Sequence, residues 1–216
     1  MWGLGIGCKG NLEILLLPVL PSDPFWQRVM EKLHEEERLT LVLEISEGVR
    51  SLVDKEGQVW GDPLPDELLS ASLRSMAGQS RAEVVEKDGR RFLVDALLPN
   101  ERLIVCGAGH DAIPLVNLAT QAGFDVTVLD PRREFNNEKR FPSAKHHEVV
   151  EPAQAQAEKL TGCWWVVMNH HVERDKAALQ LALKSQPRFI GMLGPLIRTQ
   201  ELLDEIGQTF HDGPIY

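Results

Sequence analysis

The chain has 216 residues, of which 43% are hydrophobic, 25% charged and 6% aromatic. This composition is typical of a folded globular protein and excludes a chain that is disordered throughout. The formal net charge of −9 argues against nucleic acid or a membrane surface as partner, because both are anionic and repel an acidic protein.

No targeting or spanning segment is expected. The longest apolar run, residues 14–20, contains Pro18 and is far shorter than the about 20 residues that a transmembrane helix needs. The N-terminus lacks the basic and apolar regions of a secretory signal. Cys8, Cys106 and Cys163 are odd in number and widely spaced, which favours reduced thiols over a disulfide framework. The sequence therefore predicts a cytoplasmic protein.

Residues 1–99 mix strands and helices without regular alternation and predict a smaller α+β domain. Asp23-Pro24 is typical of a helix start, and this helix is expected to end near Arg38. Asp88-Gly89 is a strong hairpin signal. Other elements are predicted at 13–18 (strand), 39–45 (strand), 49–60 (hairpin) and 65–76 (helix).

From residue 100 onward, short apolar strands alternate with helices, which is the signature of a parallel sheet with crossover helices. The sequence predicts an α/β, Rossmann-like domain over residues 100–216. Its strands are expected at 103–106, 125–129, 148–150, 164–168 and 189–192. Its helices are expected at 111–122, 152–160, 172–184 and 196–206.

The sequence Gly-Ala-Gly-His-Asp-Ala at residues 107–112 matches GxGxxA directly after a strand and at the start of a helix. Gly107 permits the tight turn, Gly109 lets the backbone approach a pyrophosphate, and Ala112 keeps helix and strand close. Asp130 ends the next strand roughly 20 residues on, where a carboxylate accepts hydrogen bonds from a ribose. These features predict a dinucleotide or related phosphate ligand.

Two alternatives stay open for this loop. A Rossmann domain can keep its tight turn for packing and bind nothing. The choice between NAD and NADP is also open, because Asp130 repels a 2′-phosphate whereas Arg132 and Arg133 attract one.

Five segments in order, LIVCGAGHD (103–111), FDVTVLDPR (124–132), RFP (140–142), VVMNH (166–170) and FIGMLG (189–194), resemble the C-terminal Rossmann domain of the XdhC/CoxI family of xanthine dehydrogenase accessory factors. LGIGCKG at residues 4–10 is similar to the glycine- and cysteine-rich segment that closes the family's first domain.

The resemblance implies an accessory protein that binds the molybdenum cofactor (molybdopterin). Such a protein serves the sulfuration and insertion of the cofactor into a xanthine-dehydrogenase-type molybdenum hydroxylase, without turning over the hydroxylase's substrate. The implied partners are that hydroxylase, a sulfur-donating desulfurase and a second copy of the chain. The loop and the resemblance together assign cofactor binding to Cys8, Gly107, Ala108, Gly109, His110, Asp130, Arg132, His170 and Gly194.

The chain departs from the family pattern at Lys9, at residues 169–171 and at residues 194–198. The N-terminal part of the family's first domain has no counterpart, and the chain stops where family members continue. We therefore expect a divergent, shortened member whose first domain is incomplete.

The competing hypothesis is an NAD(P)-dependent oxidoreductase or a nucleotide-binding protein that uses the same loop, with His110 or His170 as proton donor. A further alternative is a remnant that folds and binds little. The paired histidines at 146–147 and 170–171 complete no standard metal-ligand pattern. No metal site is predicted and no catalytic residue is assigned.

Overall fold

The computed structural model of the protein describes residues 14–46, 48–78 and 82–216. The chain divides into two units between Pro99 and Asn100. The segment that contains Cys8 lies outside the described residues, so the role predicted for this thiol stays a prediction. Among the helices that the structure describes, none is long and apolar enough to cross a membrane.

The first unit contains a five-stranded antiparallel sheet with the strand order β3-β2-β1-β5-β4. Two helices accompany it. Its elements are α1 (Pro24–His34), β1 (Leu39–Glu44), β2 (Arg50–Asp54), β3 (Val59–Gly61), α2 (Asp66–Ala77), β4 (Glu83–Lys87) and β5 (Arg90–Leu97).

The central strand β1 is buried along its whole length because a helix covers each face of the sheet. Leu41 faces a cluster that contains Trp26 of α1. Val42 faces a second cluster with Leu68 and Met76 of α2. The alternation of side chains along a strand thus places successive residues of β1 in two separate apolar layers.

Two details of the first unit differ from the sequence prediction. Helix α1 begins as expected, with the Asp23 carboxylate accepting from the Phe25 N–H at 2.9 Å. It ends before Arg38 because Glu36 adopts a left-handed conformation, with φ of 57°. The strand predicted at 13–18 is wrong for its described residues, which form no strand; Pro18 lacks the N–H that a ladder needs.

The second unit contains a five-stranded parallel sheet with the order β10-β9-β6-β7-β8, which confirms the Rossmann-like prediction. Its regular elements are β6 (Arg102–Cys106), α3 (Ala112–Gln121), β7 (Asp125–Leu129), β8 (His146–Glu148), β9 (Trp164–Val167), α4 (Val172–Lys184), β10 (Phe189–Met192) and α5 (Leu196–Glu205).

The core of this unit lies on both faces of the sheet. Leu103 and Val105 of β6 pack with Val116 of α3 on one face. Ile104 packs on the other face, where α4 and α5 contribute their apolar stripes and Trp165 of β9 is fully buried. Helices on both faces explain why the strands read as continuous apolar runs rather than as alternating ones.

The connection between β8 and β9 corrects two predictions. The helix expected at 152–160 is replaced by two short 3-10 turns, Pro152–Gln154 and Ala157–Leu160. Ala155 between them is extended, with ψ of 151°, which interrupts any continuous helix. Strand β8 begins two residues earlier than predicted, because His146 pairs with Thr127 of β7.

The packing of α5 yields a matched stability test. Leu203 is fully buried and Leu196 is 71% exposed in the same helix. We expect Leu203→Ala to lower the free energy of unfolding by about 2–5 kcal/mol, through lost burial and a residual cavity. Leu196→Ala should change it by less than about 0.5 kcal/mol. Chemical denaturation checks both, and equal effects would contradict the packing described.

Candidate functional site

The candidate site lies at the point where the order of the parallel strands reverses. From β6 the chain proceeds to β7 and β8 on one side, and then to β9 and β10 on the other. The segment after β6, residues 107–111, is called the glycine loop below. The segment after β9, residues 168–171, is called the β9 loop. Ligands of open α/β sheets bind in the crevice between two such diverging loops.

The first glycine is required by the contact between these loops. Gly107 has φ of +115°, and a Cβ there would lie 2.5 Å from the Met168 carbonyl oxygen. Its N–H donates to the Leu129 carbonyl at 3.0 Å. The glycine loop therefore approaches the β9 loop more closely than any side chain at this position allows.

The Asp130 carboxylate joins the glycine loop to the segment after β7. It accepts hydrogen bonds from the Ala108 N–H at 2.8 Å, from the Arg132 N–H at 2.9 Å, and from Nε and Nη2 of Arg132 at 2.9 and 2.6 Å. Burial raises its pKa, but these hydrogen bonds outweigh burial and leave the pKa lowered.

The four donors and an exposure of only 1% leave the Asp130 carboxylate no free acceptor position, since a carboxylate offers about four lone-pair sites. In this arrangement Asp130 and Arg132 organise the loop. A contact between Asp130 and a ribose would require one of these hydrogen bonds to break.

Arg140 lies against the glycine loop. Its Nη2 donates to the Ala108 carbonyl at 3.3 Å, and its guanidinium lies 5.0 Å from the centre of the Phe135 ring. Arg132 lies on the same ring at 4.6 Å. The Nε of Arg140 is buried and has no hydrogen-bond partner among the described residues.

A second buried carboxylate, Asp175 of α4, holds the β9 loop. It accepts from the N–H and Nδ2 of Asn169, each at 3.0 Å, and pairs with Arg198 of α5. Asn169 is 8% exposed, and its Oδ1 has no partner among the described residues. Gly194, with φ of +147°, precedes α5, and a Cβ there would lie 3.8 Å from the Arg198 side chain.

His170 connects the β9 loop with the glycine loop. Its Nε2 lies 2.6 Å from Oδ2 of Asp111, and both side chains are exposed. Partial burial raises the pKa of Asp111, but the hydrogen bond with His170 and the nearby backbone N–H groups lower it overall. His170 has φ of 55°, a conformation that is uncommon outside glycine.

The structure brings most of the predicted residues together. Gly107, Ala108, Gly109 and His110 share the glycine loop, and His170 lies across the crevice. Asp130 and Arg132 support the loop, and Gly194 follows the edge strand β10. That these residues bind a cofactor stays a prediction. No role is predicted from the sequence for five further contacting residues, Asp111, Arg140, Asn169, Asp175 and Arg198.

Those five residues were missed because their hydrogen-bond partners lie between 6 and 59 positions away along the chain, and the sequence does not indicate these pairings. Asp111 directly follows the loop histidine, and Arg140 and Asn169 lie in segments that resemble the family, but these positions alone indicate no contact. Cys106 and Cys163 are buried as predicted, and burial raises the pKa of both thiols. Within the described part of the chain, no three His, Cys, Asp or Glu side chains cluster as metal ligands do.

A comparison with protein families matches residues 103–213 to the XdhC Rossmann domain. The chain belongs to the XdhC family. The matched segment includes both loops of the crevice, so the geometry above is that of an XdhC domain.

Two relatives extend the likeness beyond this domain. A Bacillus subtilis protein that bears the name of a probable xanthine dehydrogenase subunit is 27% identical over 208 residues, which cover 94% of this chain and 61% of that protein. A crystal structure described as a xanthine dehydrogenase from Bacillus halodurans is 25% identical, with a TM-score of 0.70. The likeness covers 88% of this chain and 55% of that one. The chain thus spans little more than half the length of these relatives.

The close approach at Gly107 predicts a loss of stability on substitution. Gly107→Ala and Gly123→Ala both place a side chain at positive φ, but a Cβ at Gly123 meets nothing within 4 Å. We expect Gly107→Ala to cost about 1–3 kcal/mol more than Gly123→Ala, because it alone creates steric overlap. Denaturant unfolding measures the difference, and equal costs would show that the two loops are not in close contact.

The lowered pKa of Asp130 predicts that the stability of the fold depends on pH. Because its folded pKa is lowered, its stabilisation is fully present above its usual pKa near 3.8 and is lost as the pH falls toward the folded value. Asp130→Asn should lower stability by about 1–3 kcal/mol at pH 7. The gap from wild type should shrink below about pH 4.

Unfolding curves recorded between pH 3 and pH 7 test this expectation. Asp204→Asn is the matched control, since Asp204 is exposed on α5 and hydrogen-bonds Gln200 of its own helix. A difference between wild type and Asp130→Asn that stays constant with pH would contradict the prediction.

Proposed function

We propose that this chain is a xanthine-dehydrogenase-related accessory factor that binds the molybdenum cofactor in the crevice between the glycine loop and the β9 loop. In this role it serves the sulfuration and insertion of the cofactor into a molybdenum hydroxylase, with a desulfurase as sulfur donor. The names of the relatives and membership of the XdhC family support the class of function.

The observation that carries the proposal is a pair of buried, unsatisfied polar atoms beside the glycine loop. Buried polar groups are nearly always hydrogen-bonded, and Nε of Arg140 and Oδ1 of Asn169 have no partner among the described residues. Arg140 contacts the Ala108 carbonyl. The Asn169 Cα lies 3.0 Å from the place that a Cβ on Gly107 would take.

These residues fit a ligand with an anionic group and a polar ring. The Arg140 guanidinium supplies charge and a free donor for a phosphate. The side-chain oxygen of Asn169, Oδ1, supplies an acceptor for ring N–H groups. When bound, the cofactor supplies the metal and its sulfur chemistry; the residues of this chain bind and orient it. Cys8 lies outside the described residues, and its predicted contact with the metal or the transferred sulfur is a separate part of the proposal.

The NAD(P)-dependent oxidoreductase is the weaker candidate. A dinucleotide uses the acidic residue at the end of the second strand to hold its ribose. The carboxylate of Asp130 is instead buried and saturated by Ala108 and Arg132. The crevice thus keeps the glycine loop of a dinucleotide site while its ribose acceptor is engaged elsewhere.

An anaerobic fluorescence titration tests the proposal. The full chain is titrated with molybdenum cofactor released from a purified molybdoenzyme, with and without excess NADH. We expect saturable binding that NADH does not displace. Arg140→Met should weaken binding at least about tenfold, because it removes a charge-assisted contact with the phosphate.

Arg133→Met is the matched control, since Arg133 is exposed in the same segment and should leave binding unchanged. Thermal melts of both variants, together with Arg140→Lys, separate loss of the site from loss of the fold. Binding of NADH without the cofactor, or equal binding by both methionine variants, would contradict the proposal.

A further inference from the structure

The space that the second glycine leaves open is filled by a side chain of the protein itself. A Cβ on Gly109 would collide with Oδ1 of Asp111. The Asp111 side chain makes no capping hydrogen bond to the helix backbone, but the backbone N–H groups of Asp111 and Ala112 are close enough to lower its pKa. These groups form the N-terminus of α3, which attracts negative charge. The Asp111 carboxylate thus occupies the space beside Gly109, where the glycine motif predicts a phosphate.

His170 holds this anion in place from the opposite side of the crevice. Its Nε2 lies 2.6 Å from Oδ2 of Asp111, so a single contact joins the loops after β6 and β9. Its left-handed backbone conformation is of the kind that persists only where the surroundings determine it. The Asp111–His170 contact therefore spans the strand-order reversal at which ligands of such sheets enter.

We infer that Asp111 is an internal competitor for the glycine loop, which a phosphate-bearing ligand must displace, and that His170 strengthens this competition. The inference rests on the proposed function, since it concerns the ligand of the same crevice. A phosphate and the Asp111 carboxylate repel each other at contact distance. The two cannot share the N-terminus of α3 without loss.

Arg140 Nε and Asn169 Oδ1 have no hydrogen-bond partner among the described residues, so the Asp111 carboxylate occupies neither atom. These two atoms determine which ligand is favoured, whereas Asp111 lowers the affinity for every ligand that carries a phosphate. A ligand that hydrogen-bonds both atoms gains binding free energy that offsets the cost of displacing the Asp111 carboxylate. A bare phosphate or pyrophosphate satisfies only the donor and competes poorly. The crevice thus discriminates against small anions.

Calorimetric titration of the full chain with inorganic pyrophosphate tests the inference. We expect Asp111→Ala and Asp111→Asn each to bind pyrophosphate at least about tenfold more tightly than the wild type. Asp204→Asn, which changes the net charge equally, should bind like the wild type. An affinity of Asp111→Ala within twofold of wild type, a weaker one, or no binding by any variant would overturn the inference.

A double-mutant cycle tests the part played by His170. His170→Ala should tighten pyrophosphate binding in the wild-type background by a smaller factor than Asp111→Ala does. It should have no effect in the Asp111→Ala background, because no carboxylate remains to be held. A loss of affinity on His170→Ala in both backgrounds would overturn the assignment, since it would make His170 a contact of the ligand.

The same variants distinguish failure of this inference from failure of the proposed function. If the wild type binds no molybdenum cofactor while Asp111→Ala gains affinity for pyrophosphate, the proposed function fails and Asp111 remains the competitor. If the cofactor binds wild type and Asp111→Ala equally and pyrophosphate binding is unchanged, the competitor fails and the proposed function stands.

Discussion

Two buried carboxylates, Asp130 and Asp175, organise the crevice of this XdhC domain. Each joins one loop of the crevice to another segment and is stabilised by the hydrogen bonds it accepts there. Asp130 binds the backbone of the glycine loop and the side chain of Arg132. Asp175 binds the β9 loop through Asn169 and reaches α5 through Arg198. A buried carboxylate is tolerated only when its lone pairs are filled. The need to satisfy these two charges therefore fixes both walls of the crevice.

The fold was predictable because its signals are local. The periodicity of the apolar runs located four of the five parallel strands, and GxGxxA placed the turn after β6. The wrong predictions lie where the sequence carries no strong local signal. Strand β8 is only three residues long, and its register depends on pairing with β7. Residues 152–160 have no continuous apolar stripe, so tertiary contacts decide their conformation.

The role of the glycines in the site was predictable from the sequence, but the interactions of its charged side chains were less so. The close approach that requires Gly107 follows from the motif itself. The role of Asp130 does not, because the motif is equally compatible with a carboxylate that accepts from a ribose. Only the structure shows that Arg132, two residues away, folds back onto that carboxylate. Contacts such as His170 to Asp111 join residues 59 positions apart and have no sequence signature.

The charges near the glycine loop differ from those expected of a simple phosphate site. A helix N-terminus and two arginines attract an anion, yet the Arg132 guanidinium is neutralised by Asp130 and the helix end faces Asp111. Of the two arginines that contact the Phe135 ring, Arg140 is the one whose charge is not paired with a carboxylate among the described residues, and it already contacts the loop backbone. A crevice of this kind binds weakly through charge alone. Under the proposed function, selectivity comes from a ligand that also hydrogen-bonds Asn169 and fills the space between the two loops.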